Sequence, residues 1–417
     1  MSASDALNRR DTRHLGFAGK LALLGSLYIA QALPFGFFTQ TLPALMRKEG
    51  YRLSTISMAA ALNLPWALKF LWAPLVDRWP RPTPEVRARR KRWILLMQLA
   101  SSVAFLAMSA VGNHPTLTAL FGGFALLNFI SATQDIATDG FAVDMLVGRE
   151  RGYANGIQVG GYRFGMVLSG GLMLVVLDEL GLARAFQLLA ALTIVLTIPL
   201  LFVREAPPQM REAEAAVKLP HFLLLPGIWR LLVVLATYKA AESLAGGVLR
   251  PFLVDRGHSL AEIGKISGIA GSSGGLVGAL LGGALASRLP RRAALLIAGL
   301  LQSAAVFLFA LAASAPLSRT GMGCIFFVEA LASSLATATL FTAMMDYSRP
   351  LVGSTDYTVQ ASCIVIATGL SSMVSGRLAE HLGYTTHFVF CGCFGLASLL
   401  LLRLLPEPFA TTSHSHV

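Results

Sequence analysis

SATQDIATDGFAVDML, residues 131–146, closes an apolar run that begins at Leu117, and it carries three carboxylates, Asp135, Asp139 and Asp144. A carboxylate near the centre of a bilayer costs about 2.5–3.5 kcal/mol on insertion scales. Either this stretch lies outside a membrane, or its charges have a use that offsets the cost.

The rest of the chain answers the first half of that question. Apolar residues make up 55% of the sequence and charged ones 13%, against about 25% charged in soluble domains. The apolar residues fall in twelve blocks: 21–46, 54–76, 93–112, 117–146, 154–177 and 183–203, then 228–254, 261–286, 293–313, 321–345, 357–378 and 385–402. Each is long enough for a helix to cross about 30 Å of hydrocarbon. The sequence therefore predicts an all-α polytopic membrane protein with twelve transmembrane helices. Pro34, Pro65 and Pro74 mark expected kinks. The polar head 1–14 leads straight into a full-length span, so no cleaved signal peptide is expected.

An even span count places both termini on one side. With the N-terminus inside, the inside segments hold 21 Lys and Arg and the outside loops six. The positive-inside rule then puts both termini in the cytoplasm. The net charge of +12 is accounted for by loops at the lipid surface and implies no nucleic acid. The four cysteines all fall within spans, without a CxxC pair, and read as small apolar filler.

The polar stretch 204–227 divides the spans six and six, which gives an N-terminal bundle at 1–203, a linker, and a C-terminal bundle at 228–417. The halves echo each other. GYRLSTIS at 50–57 matches GHSLAEIG at 257–264, and Asp144, Gln158 and Ser169 fall opposite Asp346, Gln360 and Ser371. The basic loop at 77–92 has its counterpart at 287–292. A duplicated six-helix unit, with its two bundles about a pseudo-twofold axis along the membrane normal, is the plan of a secondary transporter. Small residues in GSSGGLVGALLGG (271–283), and glycines at 160, 161, 165, 170 and 171, suit close helix contact. No Lys-Ser or Lys-Thr follows them, as a phosphate loop would need. Energy must then come from a gradient or from a partner.

Few charges lie inside the spans. Asp135 and Asp139, four apart, share one helix face, with Gln134 beside them, while Asp144 is turned away near the inner end. Lys69 and Arg163 are the basic residues of the same half. They either neutralise the aspartates as buried pairs, or bind an anionic solute group while an aspartate carries a coupling proton. Lys239 and Glu242, three apart, read as a structural pair, and Glu329 as a further proton-site candidate. Asp346, Arg377 and Glu380 are expected at the interface.

LKFLWAPLVDR (68–78), SATQDIATDG (131–140) and ANGIQVGGYRFGM (154–166) together resemble the AmpG branch of the major facilitator superfamily. That branch imports muropeptides, and it has siderophore-importing relatives of the RhtX/FptX type. Asp77-Arg78 followed by Arg89-Arg90-Lys91-Arg92 resembles the superfamily's loop between helices two and three, without its usual glycines. The resemblance maps shared residues onto Lys69, Asp77, Gln134, Asp135, Asp139 and Arg163. It implies a permease of the bacterial inner membrane with no cofactor, expected to be a proton symporter and a monomer. Asp135, Asp139 and Glu329 are then the proton-coupling candidates. Lys69, Arg163, Gln134, Gln31 and Trp66 would bind solute, and Asp77, Arg78 and Asp144 would gate. QALPFGFFTQTLPALMRKEG (31–50) is more similar to the siderophore permeases, and the chain ends after twelve spans where many muropeptide permeases have two more. Import of a siderophore or iron–siderophore complex is the first reading, muropeptide uptake for cell-wall recycling the alternative, and efflux or another solute the remainder. A membrane enzyme would need a clustered nucleophile–base or metal constellation, and neither mid-span histidines nor HExxH occur. A receptor or scaffold would not require the buried charges.

Overall fold

The computed structural model describes residues 15–42, 46, 64–79, 89–112, 116–203, 205, 222–258, 262–263, 266–315, 317–349 and 352–406. The 50–57 half of the sequence repeat, most of the linker, the middle of the basic loop and the terminal histidines lie outside them.

All regular structure among the described residues is helical. In the first half, α1 spans Phe17–Gly36, α3 Arg89–Ala110, α4 Leu117–Met145, α5 Glu150–Val167 and α6 Met173–Leu201. Between α1 and α3, α2 is a broken span of three pieces, Leu64–Leu68, Lys69–Leu71 and Ala73–Arg78. In the second half, α7 is again in pieces, Ile228–Tyr238, Ala240–Gly246 and Leu249–Asp255. It is followed by α8 at Gly271–Arg288, α9 at Arg291–Ser314, α10 at Arg319–Asp346, α11 at Gly353–Leu382 and α12 at Tyr384–Leu399. Eight of these bodies are long and apolar enough by composition alone to cross a bilayer. Stripes such as Leu99, Val103 and Leu106 on α3 stay exposed. Their i, i+4, i+7 spacing is that of a helix face turned to lipid.

Contacts gather the chain into two units. One holds Met1–Leu146, Gly161–Leu219 and Ser348–Val359, the other Val147–Gly160, Pro220–Tyr347 and Gln360–Val417. The six-and-six division is thus crossed by two short segments, the start of α5 and the start of α11. Each unit has its own aromatic core. Phe37 packs on Phe124 at 5.6 Å and on Phe186 at 5.3 Å. In the other unit Phe388 packs on Phe252 at 5.5 Å and on Phe309 at 5.6 Å.

The duplication is visible in the chemistry of the helix ends. Thr116 caps α4 through Ala119 N–H at 3.2 Å, and Ser318, its counterpart 202 residues on, caps α10 through Gly321 N–H at 3.1 Å. Lys91 Nζ donates to Val203 O at 2.6 Å, and Arg292 donates to Leu405 O at 2.7 Å, so in each half the helix-three start closes the helix-six end. Gly181, at φ 81° between the two helical stretches joined in α6, and Gly383, at φ 74° before α12, turn the chain at matching places in the two halves.

Glycine sets one contact outright. On α8 a Cβ at Gly274, Gly278 or Gly282 would overlap the carbonyls of Phe327, Leu331 and Leu335 on α10, four residues apart on both helices. The two backbones therefore touch along a shared seam, as small residues permit in lipid. Gly278→Val should force them apart and lower stability by about 1–3 kcal/mol. Thermal melting in detergent checks this, and an unchanged melting temperature would dismiss the seam.

Candidate functional site

The aspartates of the opening stretch are buried in the first unit. At 1.5 Å per residue, Asp135 sits roughly 27 Å from the start of α4 and 15 Å from its end. Asp135 forms an ion pair with Lys69 through Oδ2 and accepts a hydrogen bond from Gln31 Nε2 through Oδ1. One turn on, Asp139 accepts from Tyr28 Oη at 2.9 Å. Tyr28 and Gln31, three apart on α1, thus each serve one of two aspartates four apart on α4. Lys69, Asp135 and Asp139 are 2%, 6% and 1% exposed. Coulomb attraction between them is therefore little screened.

Lys69 owes its place to the break in α2. Leu68 and Trp72, on either side, adopt φ −98°, ψ −2° and φ −111°, ψ −2°. This region is where many active-site residues sit. The lysine Nζ lies 5.6 Å from the Trp66 ring centre, within cation–π range. Trp66, Phe35 and Tyr162 form an aromatic triad, with centroids 5.7 Å, 5.8 Å and 6.5 Å apart. Indole N–H donors tie the span to α4: Trp66 to Asn128 Oδ1 and Trp72 to Thr133 Oγ1, both at 3.1 Å. Gln134 is buried and its Nε2 has no hydrogen-bond partner among the described residues, and neither has Gln31 Oε1. Two amide groups beside the ion pair are thus left with capacity for a ligand or water. Arg163 is half-buried on α5, next to Tyr162. Glu329 is half-buried on α10 and belongs to the other unit.

The gating candidates gather at one end of the first unit. Asp77, wholly buried, accepts through Oδ2 from Thr355 N–H and from Thr355 Oγ1, both at 2.7 Å. Thr355 is in the first turn of α11, where amide groups lack helical partners and the dipole favours an anion. Arg90, also wholly buried, lies between Asp77 Oδ1 at 3.3 Å and Asp144 Oδ2 at 2.9 Å, and donates to the Ser354 hydroxyl. Neither carboxylate contact is an aligned hydrogen bond, so charge rather than direction holds the guanidinium. A Cβ at Gly140 would stand on it, so only glycine leaves the passage open. Glu205 accepts from the backbone N–H of Lys91 at 3.0 Å and of Arg90 at 3.3 Å. Burial pushes its carboxyl above the usual range, against the pull of those amides and of the Arg90 guanidinium. Arg78 is exposed and stands apart.

Some of this differs from the sequence reading. Asp346, expected at the interface, is buried between Arg151 at 2.8 Å and Arg291. Phe37 and Phe38, within the segment that suggested siderophores, are core residues at 0% and 3% exposure. Tyr28 and Arg90 were missed. The spacing of Tyr28 from Gln31 was a usable signal. Arg90 was hidden inside a basic run.

Twelve helices in two six-helix bundles, with buried ion pairs within the bundles, define a polytopic membrane transporter. Residues 24–358 match the Major Facilitator Superfamily, and the chain belongs to that superfamily, in its AmpG-like branch. It is 31% identical over 398 residues to the anhydromuropeptide permease of Escherichia coli strain K12, covering 94% of this chain and 80% of that one. It is 25% identical over 392 residues to the putative transporter AmpG 4 of Rickettsia conorii, covering 91% and 94%. Among solved structures, the human organic anion transporter MFSD10 is similar with a TM-score of 0.72 at 15% identity, covering 93% and 100%. The Escherichia coli fucose:proton symporter FucP has a TM-score of 0.69 at 13% identity, covering 93% and 98%. These last two speak to the fold alone. The relatives give the siderophore reading no support.

Proposed function

We propose that the protein imports anhydromuropeptides across the bacterial inner membrane, driven by protons, as a monomer with both termini and the basic loops in the cytoplasm. The carrying observation is the buried centre Lys69–Asp135–Gln31 with Tyr28–Asp139, in a chain 31% identical along 94% of its length to an anhydromuropeptide permease. The peptide part of such a solute carries carboxylates. One of them can take Lys69 in place of Asp135, and Asp135, without its cation and in a dry site, then takes a proton. Arg163 offers a forked donor for a second acceptor group, and the Phe35–Trp66–Tyr162 triad an apolar wall for the sugar faces. Asp77, on the first turn of α11, stabilises one arrangement of that end, since a group shifts populations only by differential contact.

Each net positive charge carried inward down about 100 mV adds about 2.3 kcal/mol, roughly fifty-fold accumulation, and a proton that only neutralises a solute carboxylate draws on the pH gradient instead. Uptake of anhydromuropeptide into liposomes holding the purified protein tests the reading. An inward proton gradient should raise it well above equilibrium, and a protonophore should abolish the excess. Uptake of an iron–siderophore complex in place of anhydromuropeptide would restore the discarded alternative.

A further inference from the structure

The second unit carries an ion pair that the proposed mechanism leaves unused. Lys239 and Glu242 meet on α7, three residues apart. Lys239 Nζ also donates to Gln302 Oε1 of α9 at 2.9 Å and to Ser333 O of α10 at 3.3 Å. Ser333 Oγ donates to Glu242 Oε1 at 2.6 Å, and Gln302 Nε2 to Tyr238 O at 3.2 Å. Ser333 is 14 residues from the first residue of α10 and 13 from the last, roughly 20 Å from either end. The pair therefore sits at mid-depth, where ionised groups are most costly.

A packing role accounts for it poorly. Apolar residues of like volume generally pack a buried site as well as an ion pair does, or better. Furthermore, α7 is interrupted at this point: Lys239 adopts φ −101°, ψ −8° between two helical pieces. α2 is interrupted in the same way at Lys69. Broken helices at mid-membrane are where transporters place their solute and ion sites. Each unit thus presents one lysine at a helix break, paired with one carboxylate and served by one glutamine.

We propose that Lys239 is a carboxylate-binding point of the second unit, and that Glu242 is the anion it gives up when an acidic solute arrives. A solute carboxylate takes Lys239 Nζ. Glu242 leaves it, accepts one proton from water and remains as the neutral acid on Ser333. Charge is conserved: one ammonium keeps one carboxylate partner, and one proton enters with the solute. The Ser333 hydroxyl suits both states, since it donates to the carboxylate and accepts from the acid. The groups facing Glu242 are Lys239 from its own helix and Ser333 from α10, with Gln302 of α9 beside the lysine. His387 of α12 lies further round, at 3.2 Å from Leu244 O. The inference rests on the anhydromuropeptide reading and adds a second proton to it.

The test uses full-length protein in liposomes and two probes, anhydromuropeptide and the same compound with its peptide carboxylates amidated. Wild type should bind the free acid at least tenfold tighter than the amide. Glu242→Gln fixes the shape of the neutral acid. It should bind the free acid as tightly as wild type or better, with a flattened pH dependence. The charge-neutral Lys239→Gln/Glu242→Gln should melt like wild type yet lose at least tenfold of the preference between probes, the remainder being that of Lys69. A double variant that transports the free acid at wild-type rates, or a wild type indifferent to amidation, would overturn the proposal while leaving the function intact. A wild type that carries neither probe would remove the anhydromuropeptide reading, and this inference with it.

Discussion

Asp135→Asn is expected to bring proton-driven accumulation down to near its equilibrium value, a loss of at least tenfold, while leaving exchange at equal concentrations measurable. Lys69 is 2% exposed, and Asp135 is its direct ion-pair partner. Removing one member of a buried pair typically costs about 3–5 kcal/mol, because the other charge stays behind in a dry site. The melting temperature should therefore fall as well. Lys69→Gln/Asp135→Asn separates the two effects. It removes both charges, so stability should return, whereas accumulation should not, since Asp135, the group that exchanges Lys69 for a proton, is gone. Asp139→Asn should be milder, because an amide oxygen can still accept from Tyr28 Oη. Accumulation at wild-type rates in both single variants, still abolished by a protonophore, would show that neither aspartate is the coupling group. Glu329 would then be next.

Arg90→Gln should lower uptake at least 30-fold and lower stability with it. Its guanidinium is the cation shared by Asp77 and Asp144 and also holds Ser354. A neutral amide would leave two carboxylates close together, one of them wholly buried. Arg90→Gln/Asp144→Asn should recover most of the stability. Asp77→Asn is the gentler alteration. Its amide oxygen can still accept from Thr355 N–H and Oγ1, and what is lost is a full charge at a helix start, about 0.3–1 kcal/mol when exposed and up to about 2 when buried. Slower turnover with nearly unchanged affinity is the expected result. A collapse of affinity at unchanged turnover would take Asp77 out of the gate. Initial rates and binding isotherms on the same preparation check both.

Much of the fold was legible because span length and composition are properties of the chain itself. Three aspartates at 135, 139 and 144, with Lys69 as the base of the same half, were enough to direct attention to the centre now seen. The break in α2 was signalled by Pro65 and Pro74, and Pro74 stands in the first turn of its last piece; contacts such as Trp66–Asn128 and Trp72–Thr133 then hold it. The break in α7 was not legible, because Lys239 is no helix breaker. Arg90 escaped for a related reason. Counting positive charges along a loop treats every arginine alike, whereas one of this run turns inward where Gly140 makes room. The solute was misjudged because the likeness of 31–50 to siderophore permeases and the count of twelve spans were allowed to decide it, although Phe37 and Phe38 of that segment are core residues and only Phe35 reaches the Trp66 triad.

The two short segments that cross between the halves have a consequence for how the protein is made. Synthesis runs from the N-terminus, yet the first unit is complete only once 348–359 has emerged. Until then Asp77 lacks its Thr355 donors and Arg90 lacks Ser354. After the sixth span the nascent chain must therefore hold a set of inward charges ready through four more, α7 to α10. A ribosome stalled before residue 348 should yield an N-terminal portion that proteases attack at its basic end, and release beyond residue 359 should protect it. Cutting the gene at the linker would likewise give two fragments that are each one segment short and that become resistant only when produced together.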